Sequence, residues 1–415
     1  MKLTLTLAGL LGLASASPFS GHDTSSGLKA RGGKCDWKDK HCCAYPDKYK
    51  DNKDASGYKE SNYYSYGHTA YVKHGRSIQH AINKASPGNR IVVEAGTYHE
   101  QLLINKDGIE LVGHGAILVP PVKYVKNVCT GVTKNEKGVD TDAGICIAGY
   151  NVKKAPFQAE HARVASVGKP VRDVSVTGFD VRGFSGVNVV VIGAKNTNIY
   201  KNKLTDAPAY GALTLGSYNT VFSENIITTT QGGFIGICMD NYSDVLIKKN
   251  EISKVFIGLC VQTNGAVLAY NNLYDNCNGI YVDPGVRGVQ LIHNHISKSG
   301  PAAACGGSTT GITLDGASDT VVRDNVIEGQ HADGKGTGIL IFDDECKATP
   351  QGELSLSCIA LGHKAVAKDN VVIRNTLRDN DVDIVNNSKG SGNVIKCNTC
   401  ETPANLKAGQ CHKGS

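Results

Sequence analysis

"VLIKKNEISKVFIGLCVQTNGAVLAYNNLYDNCNGIYVDPG" (residues 245–285) holds one pattern twice. An alternating apolar run reaches Asn250, another apolar residue follows two positions on, and Gly258 opens a second alternating run. Asn271 and Gly279 repeat the sequence of events. Side chains alternate faces along a strand, so Leu259 and Val261, like Ile280 and Val282, point to one side. Gln262 and Asp283, four past each glycine, point to the other. The asparagine recurs as Asn202, Asn225, Asn294, Asn325, Asn375 and, more loosely, Asn398. The glycine recurs as Gly186, Gly211, Gly236, Gly311 and Gly338. Short strands at a period of roughly 20–25 residues predict an all-β chain wound as a single-stranded parallel β-helix. One turn cannot bury its apolar face alone, and stacking makes one continuous core. Asparagines stacked at a turn can hydrogen-bond from rung to rung, which gives them a structural role.

Upstream, "RSIQHAINKASPGNRIVVEAGTYHEQLLINKDGIELVGHGAILVPP" (76–121) reads as a short amphipathic helix over 78–85, a Pro-Gly turn and strands. A helix there caps the open end of the coil, whose bare rung would otherwise invite edge pairing. This stretch resembles the N-terminal signature of the pectate-lyase-like right-handed parallel β-helix superfamily. The later rungs resemble that superfamily's carbohydrate-binding and sugar-hydrolase repeats, and point to a secreted fungal member. The resemblance covers 76–399 and implies a right-handed coil. It leaves the reaction open, because lyases, hydrolases, epimerases and non-enzymes share the scaffold.

The chain ends read differently. "MKLTLTLAGLLGLASAS" has one Lys, a short apolar run and a small-residue cleavage site, which predicts a signal peptide over 1–16. A processing site after Arg31 would make 17–31 a propeptide. Residues 32–75 are rich in Lys and Tyr and carry Trp37, the chain's one tryptophan. They read as a disulfide-tied arm or an aromatic sugar platform. The coil is expected over 76–400, with a tail at 401–415. Fourteen cysteines in a secreted chain predict disulfides, with Cys346 and Cys358 as the chosen pair. The cysteine spacing does not suit zinc. A net charge of +6, spread along the chain, favours an acidic partner over nucleic acid. No later stretch is apolar enough for a membrane span, and a soluble extracellular monomer is expected.

The residues four past each glycine are Val190, Leu215, Asp240, Gln262, Asp283, Asp315 and Phe342. The column is apolar at both ends and polar between. Like charges on neighbouring strands repel. Such a cluster persists when it binds a cation, shares a proton or performs acid–base work. Asp before Pro, Gly or Asn is also ordinary turn chemistry, so each aspartate has a structural alternative. Long insertions flank the acidic rungs at 295–310 and 343–368, and long loops on a rigid coil often carry binding. Asp240, Asp283 and Asp315 are therefore the candidate catalytic residues. Gln262, Tyr281, Lys254, Arg287, Asp343 and Asp344 are the candidate substrate contacts, with Tyr281 expected as an exposed stacking ring. Glu345, His331 and His363 are weaker candidates from the long loops. Calcium is the cofactor such carboxylates suit, held by Asp283 and Asp315.

Two chemistries fit. A glycoside hydrolase needs one protonated and one ionised carboxyl. A lyase on uronic-acid chains needs a base and a neutralising cation, with Lys254 and Arg287 available. The superfamily's Arg-Pro lyase segment and its Asn-Thr-Asp, Asp-Asp and Gly-His-Gly hydrolase set are absent. "GIYVDP" is similar to the Asp-Pro-His-Glu segment of mannuronate epimerases, but Gly285 stands at the His position. The expectation is an enzyme acting on an acidic cell-wall polysaccharide, with a non-catalytic glycan-binding or surface β-helix as the alternative. Asn241 and Asn386 begin glycosylation sequons, and a glycan on Asn241 would crowd the Asp240 cleft.

Overall fold

The computed structural model describes residues 68–158, 160–348, 354, 356–402, 406 and 409–413. The expected signal peptide, propeptide and most of the arm, with Trp37, lie outside them. The described chain is a parallel β-helix with three strands to a typical rung. Ser243–Lys248 and Glu251–Ser253 belong to a 23-stranded sheet, and Val255–Val261 belongs to a 10-stranded sheet. The smaller sheet carries the acidic rungs. Its strands are β1 (Leu102–Ile104), β2 (Ala143–Ala148), β3 (Val187–Ile192), β4 (Tyr210–Leu215) and β5 (Gly233–Asp240). They continue as β6 (Val255–Val261), β7 (Asn278–Val282), β8 (Thr309–Asp315), β9 (Gly336–Phe342) and β10 (Val382–Asn386). Pairing begins at Thr69–Val72, ahead of the expected start of the coil, and reaches Cys411–Lys413 beyond its expected end.

The asparagines form the expected ladder. The Asn250 backbone N–H and Nδ2 both donate to Asn271 Oδ1, each at 3.0 Å, and Asn271 repeats this to Asn294. Nδ2 also donates back to a carbonyl of the preceding rung, as from Asn271 to Ile247 at 2.9 Å. The residue before each asparagine is left-handed: Lys249 at φ 55°, Tyr270 at 58°, His293 at 53°. That conformation costs a non-glycine residue roughly 1–2 kcal/mol, and the buried amide bonds offset it.

The glycines form a second ladder. A Cβ on Gly279 would lie 2.5 Å from the Gly311 carbonyl oxygen, and one on Gly258 would lie 2.6 Å from that of Gly279. Glycine is required there by close approach of backbone to backbone. Gly186 does not belong to this column. Val190 lies opposite Leu213 and Ile192 opposite Leu215, so Ile192, not Val190, stands in the line that runs from Ala148 to Asp240. Spacing alone could not detect this two-residue offset.

Helix α1 (Ile78–Lys84) occupies the expected cap and buries Ile78 and Ile82 completely. The Ser77 side chain accepts from the His80 N–H, while Glu100 accepts from the N–H groups of Ile78 and Gln79. A second short helix, α2 (Leu356–Leu361), lies in the longest insertion. The central core is one apolar column running the length of the coil, from Val72 to Cys400.

A second apolar cluster covers the outside of the smaller sheet, and the sequence reading did not anticipate it. Cys129 and Val132, from the segment before β2, pack with Val190, Ile192, Leu213, Leu215, Cys238 and Cys260. The outward positions of these rungs are therefore buried by the 120–170 insertion. Disulfides join Cys129 to Cys146, Cys238 to Cys260, Cys277 to Cys305, Cys346 to Cys358 and Cys400 to Cys411. The expected Cys346–Cys358 pair is among them. None of the described helices is long and apolar enough to cross a membrane.

Candidate active site

The strand ends of β5 to β8 place Asp240, Gln262, Asp283 and Asp315 on successive rungs, about 4.8 Å apart. The 120–170 insertion comes down beside them and adds Glu160, His161 and Arg163. Gln262 Nε2 donates to Asp283 Oδ2 at 2.6 Å and to Glu160 Oε2 at 3.3 Å. One amide group thus bridges two carboxyls. His161, buried, stands between Tyr210 and Asp240, with Nδ1 3.2 Å from the Tyr210 hydroxyl and Nε2 3.4 Å from Asp240 Oδ2.

Burial is the largest influence on these acids. It pushes the Asp283 carboxyl well above the usual carboxylate range, and the Glu160 charge pushes it further. Burial also raises Glu160, but His161 and Arg163 pull it back toward the ionised form. Two facing carboxyls in one dry pocket cannot both ionise cheaply, so they divide the roles. Both are raised, and Asp283 is raised further, so it holds its proton the more tightly of the two. The Tyr210 phenol is raised well above its ordinary value, first by burial and then by Glu160.

One rung on, the Tyr281 hydroxyl donates to Asp315 Oδ2 at 2.6 Å. Tyr281 is therefore a partly buried partner of Asp315 and not an exposed sugar platform. Its own phenol is also raised well above the ordinary value, by burial first and Asp315 next. Burial, with the charges of Asp344 and Asp343, lifts Asp315 to about 8 against the Tyr281 hydrogen bond. Asp344 is buried nearby and its Oδ1 accepts from the Cys346 N–H.

Other expected residues fall elsewhere. Asp343 closes its own loop, accepting from the Ala367 and Lys389 N–H groups and the Ser388 hydroxyl. Glu345 pairs at the surface with Lys389. Lys254 is exposed before the start of β6, a strand's length or roughly 20 Å from the acidic ends. Arg287 is exposed past the turn, and the cation bearing on Asp283 is Arg163 instead. His331 bonds Asp381, and His363 bonds the Lys364 carbonyl. Asn241 is buried, its Nδ2 donating to Thr220 and its Oδ1 accepting from Thr214. A glycan there would require the Asn241–Thr220 hydrogen bond to open. Asn386 ends β10 half-buried, its Oδ1 accepting from the Ser388 N–H.

Calcium takes 6–8 oxygens, and Asp283 and Asp315, the pair expected to hold it, stand on neighbouring rungs. In each of them Oδ2 accepts one hydrogen bond, from Gln262 and from Tyr281 respectively. Among the described residues, the metal-type side chains converging within 4.8 Å are Glu160, His161 and Cys238. Cys238 is bonded to Cys260 and offers no thiolate.

Sequence reasoning missed Glu160, His161, Arg163 and Tyr210. The first three sit in a segment without strand periodicity. Their one signal is an acid, an imidazole and a guanidinium within four residues.

The family model described as right handed beta helix region matches residues 188–409. No curated protein matches the chain in sequence. Several solved structures share the coil at low identity. The native GH136 lacto-N-biosidase from Eubacterium ramulus is 10% identical, with a TM-score of 0.46, 81% of this chain covered and 68% of that one. A lidless DFA-IIIase from Arthrobacter chlorophenolicus A6 is 11% identical, with a TM-score of 0.42, 82% of this chain covered and 100% of that one. The Dettilon tailspike protein is 14% identical, with a TM-score of 0.44 and 77% of this chain covered. The match spans 61% of the tailspike, less than two-thirds of its length. With more than half of its residues inside the family match, and rungs that repeat strand, asparagine, strand and glycine throughout, the chain belongs to the right handed beta helix region family.

Proposed function

We propose that this protein is a secreted glycoside hydrolase acting on an acidic, uronic-acid-containing cell-wall polysaccharide. The Gln262 amide that bridges Glu160 and Asp283 carries this reading. Asp283 serves as the general acid and passes its proton to the glycosidic oxygen. The Glu160 carboxylate bonds the anomeric carbon as the leaving sugar departs with the electron pair of the broken bond. Asp283, now ionised, takes a proton from water, and that water displaces Glu160. The shared amide keeps the two carboxyl oxygens within about 6 Å, short of the ~6.5–9.5 Å an inverting pair requires. The product should retain its anomeric configuration.

A lyase base is less well supplied. Tyr210 and Tyr281 hold their protons far above neutral pH, and Lys254 is remote. The disulfides accord with an oxidising compartment.

The test is a reducing-end assay on uronate polymers, with proton NMR of the first product and ultraviolet detection of unsaturated ends. Asp283→Asn and Glu160→Gln should each lower kcat about 10²–10⁴-fold with the far-UV circular dichroism unchanged. Activity should fall as pH rises through the elevated range of Asp283, because the acid must be protonated. Unsaturated products would identify a lyase. Binding without any cleavage would identify a glycan-binding coil.

A further inference from the structure

Along one edge of the coil, just past the ends of the smaller sheet, Arg172, Lys195, Tyr218 and Ser243 stand opposite one another on four successive rungs. Register partners in parallel strands point the same way, and Arg172, Lys195 and Tyr218 are all exposed. Neighbouring rungs are about 4.8 Å apart, so Arg172 and Lys195 are like charges side by side, which destabilises a sheet. Neither forms an ion pair with a described residue. Two acids lie beside them: Asp107 accepts from the Arg172 backbone N–H and faces Lys169 at 3.9 Å, and Asp173 accepts from the Asn196 side-chain amide at 2.8 Å.

The next rungs are aromatic. Tyr218 and Tyr242 are 39% and 45% exposed, with ring centroids 5.2 Å apart and planes 41° from each other. The Tyr242 N–H donates to the Ser217 carbonyl, which locks one turn onto the other. Tyr242 follows Asp240 by two residues, so the line of cations and rings runs toward the acidic centre.

We propose that Arg172, Lys195, Tyr218 and Tyr242 form a subsite for an acidic sugar chain, with the guanidinium and ammonium taking sugar carboxylates and the two rings supporting pyranose faces. This rests on the hydrolase reading for its place beside Asp240 and extends it by naming what binds. The unpaired cations explain the choice of an acidic chain. A neutral glycan would leave their repulsion unrelieved, whereas a uronate polymer brings one carboxylate per sugar. Tyrosine rings present an apolar face with a polar tip, which suits a sugar's apolar face and its hydroxyls.

The experiment is calorimetric binding of galacturonate oligomers, and of the same oligomers with their carboxyls reduced, to the full-length Asp283→Asn chain. Using an uncleaving background separates binding from the assigned chemistry. The acidic oligomer should bind at least about tenfold more tightly than the reduced one, with affinity falling as salt rises. Arg172→Gln with Lys195→Gln should erase that difference. Tyr218→Ala with Tyr242→Ala should weaken both oligomers. All four side chains are exposed, so thermal midpoints should stay near the parent's. The inference is overturned if the parent binds neither oligomer, if it binds both equally, or if the double charge variant keeps the preference. If these binding results hold while the parent enzyme cleaves nothing, the subsite stands and the hydrolase reading falls.

Discussion

Gln262 and Asp315 show how a rung position acquires chemistry. Gln262 spends its amide donor on two carboxyls, and its Oε1 is buried without a partner. Gln262→Leu should remove the bridge and free the two acids to titrate apart. The expected result is a lower kcat with an altered alkaline limb in the pH profile, and an unchanged profile would remove Gln262 as a positioning residue. Asp315 makes a stability prediction. Its carboxyl sits at about 8 in the folded chain, against an ordinary value near 4. A group whose folded pKa is raised binds its proton more tightly when folded. Its contribution is complete at acidic pH and is lost as pH climbs toward about 8. Asp315→Asn should therefore flatten the fall in melting temperature between roughly pH 4 and 8. A parent protein whose melting temperature did not fall over that span would contradict the assignment. The aspartates at 240, 283 and 315 were legible in the sequence because each ends a strand at a fixed offset. Their protonation was not, since it depends on what covers them.

At the scale of the element, the asparagine ladder is a continuous line of buried amides, and breaking it should cost more than losing one side chain. Asn271→Ala leaves the Asn250 N–H without its acceptor and removes the side-chain donor to the Ile247 carbonyl, while the Asn250 amide keeps only the Phe222 carbonyl. Buried groups without partners cost about 1–3 kcal/mol each, and partial relaxation should leave a net loss of roughly 2–4 kcal/mol in urea unfolding. Asn272→Ala, at the exposed neighbouring position, should change stability by less than about 0.5 kcal/mol. Equal effects from the two variants would mean the ladder contributes little. This ladder and the glycine ladder were both readable as periodic marks. The misassignment of Gly186 shows the limit of that reading, because a turn that shifts by two residues keeps the same residue types while changing the register.

Across the whole molecule, stacking solves the core and leaves the two ends as the exposed edges. Helix α1 closes the first end by burying Ile78 and Ile82 over the opening rung. Ile78→Asp with Ile82→Asp should lift the helix and bare unpaired strand edges, which template association. Light scattering should then report oligomers while the far-UV spectrum keeps its β character. A double variant that stayed monomeric would show that the cap is dispensable.

The repeat, the coil, the capping helix and the acidic column follow from local rules. Alternation along a strand and close contact between neighbouring rungs are visible in the spacing of Asn, Gly and apolar residues. The composition of the candidate site was decided by tertiary structure. Glu160 reaches Gln262 across 102 residues of chain, carried there because the 120–170 insertion buries Cys129 and Val132 on the outside of the smaller sheet. Docking of that kind is driven by non-directional apolar burial and leaves no period in the sequence. Glu160 and Arg163, carried in the same way, stand beside Asp283, while Tyr281 and Asp344 stand beside Asp315, and burial raises both carboxyls above the ordinary aspartate range.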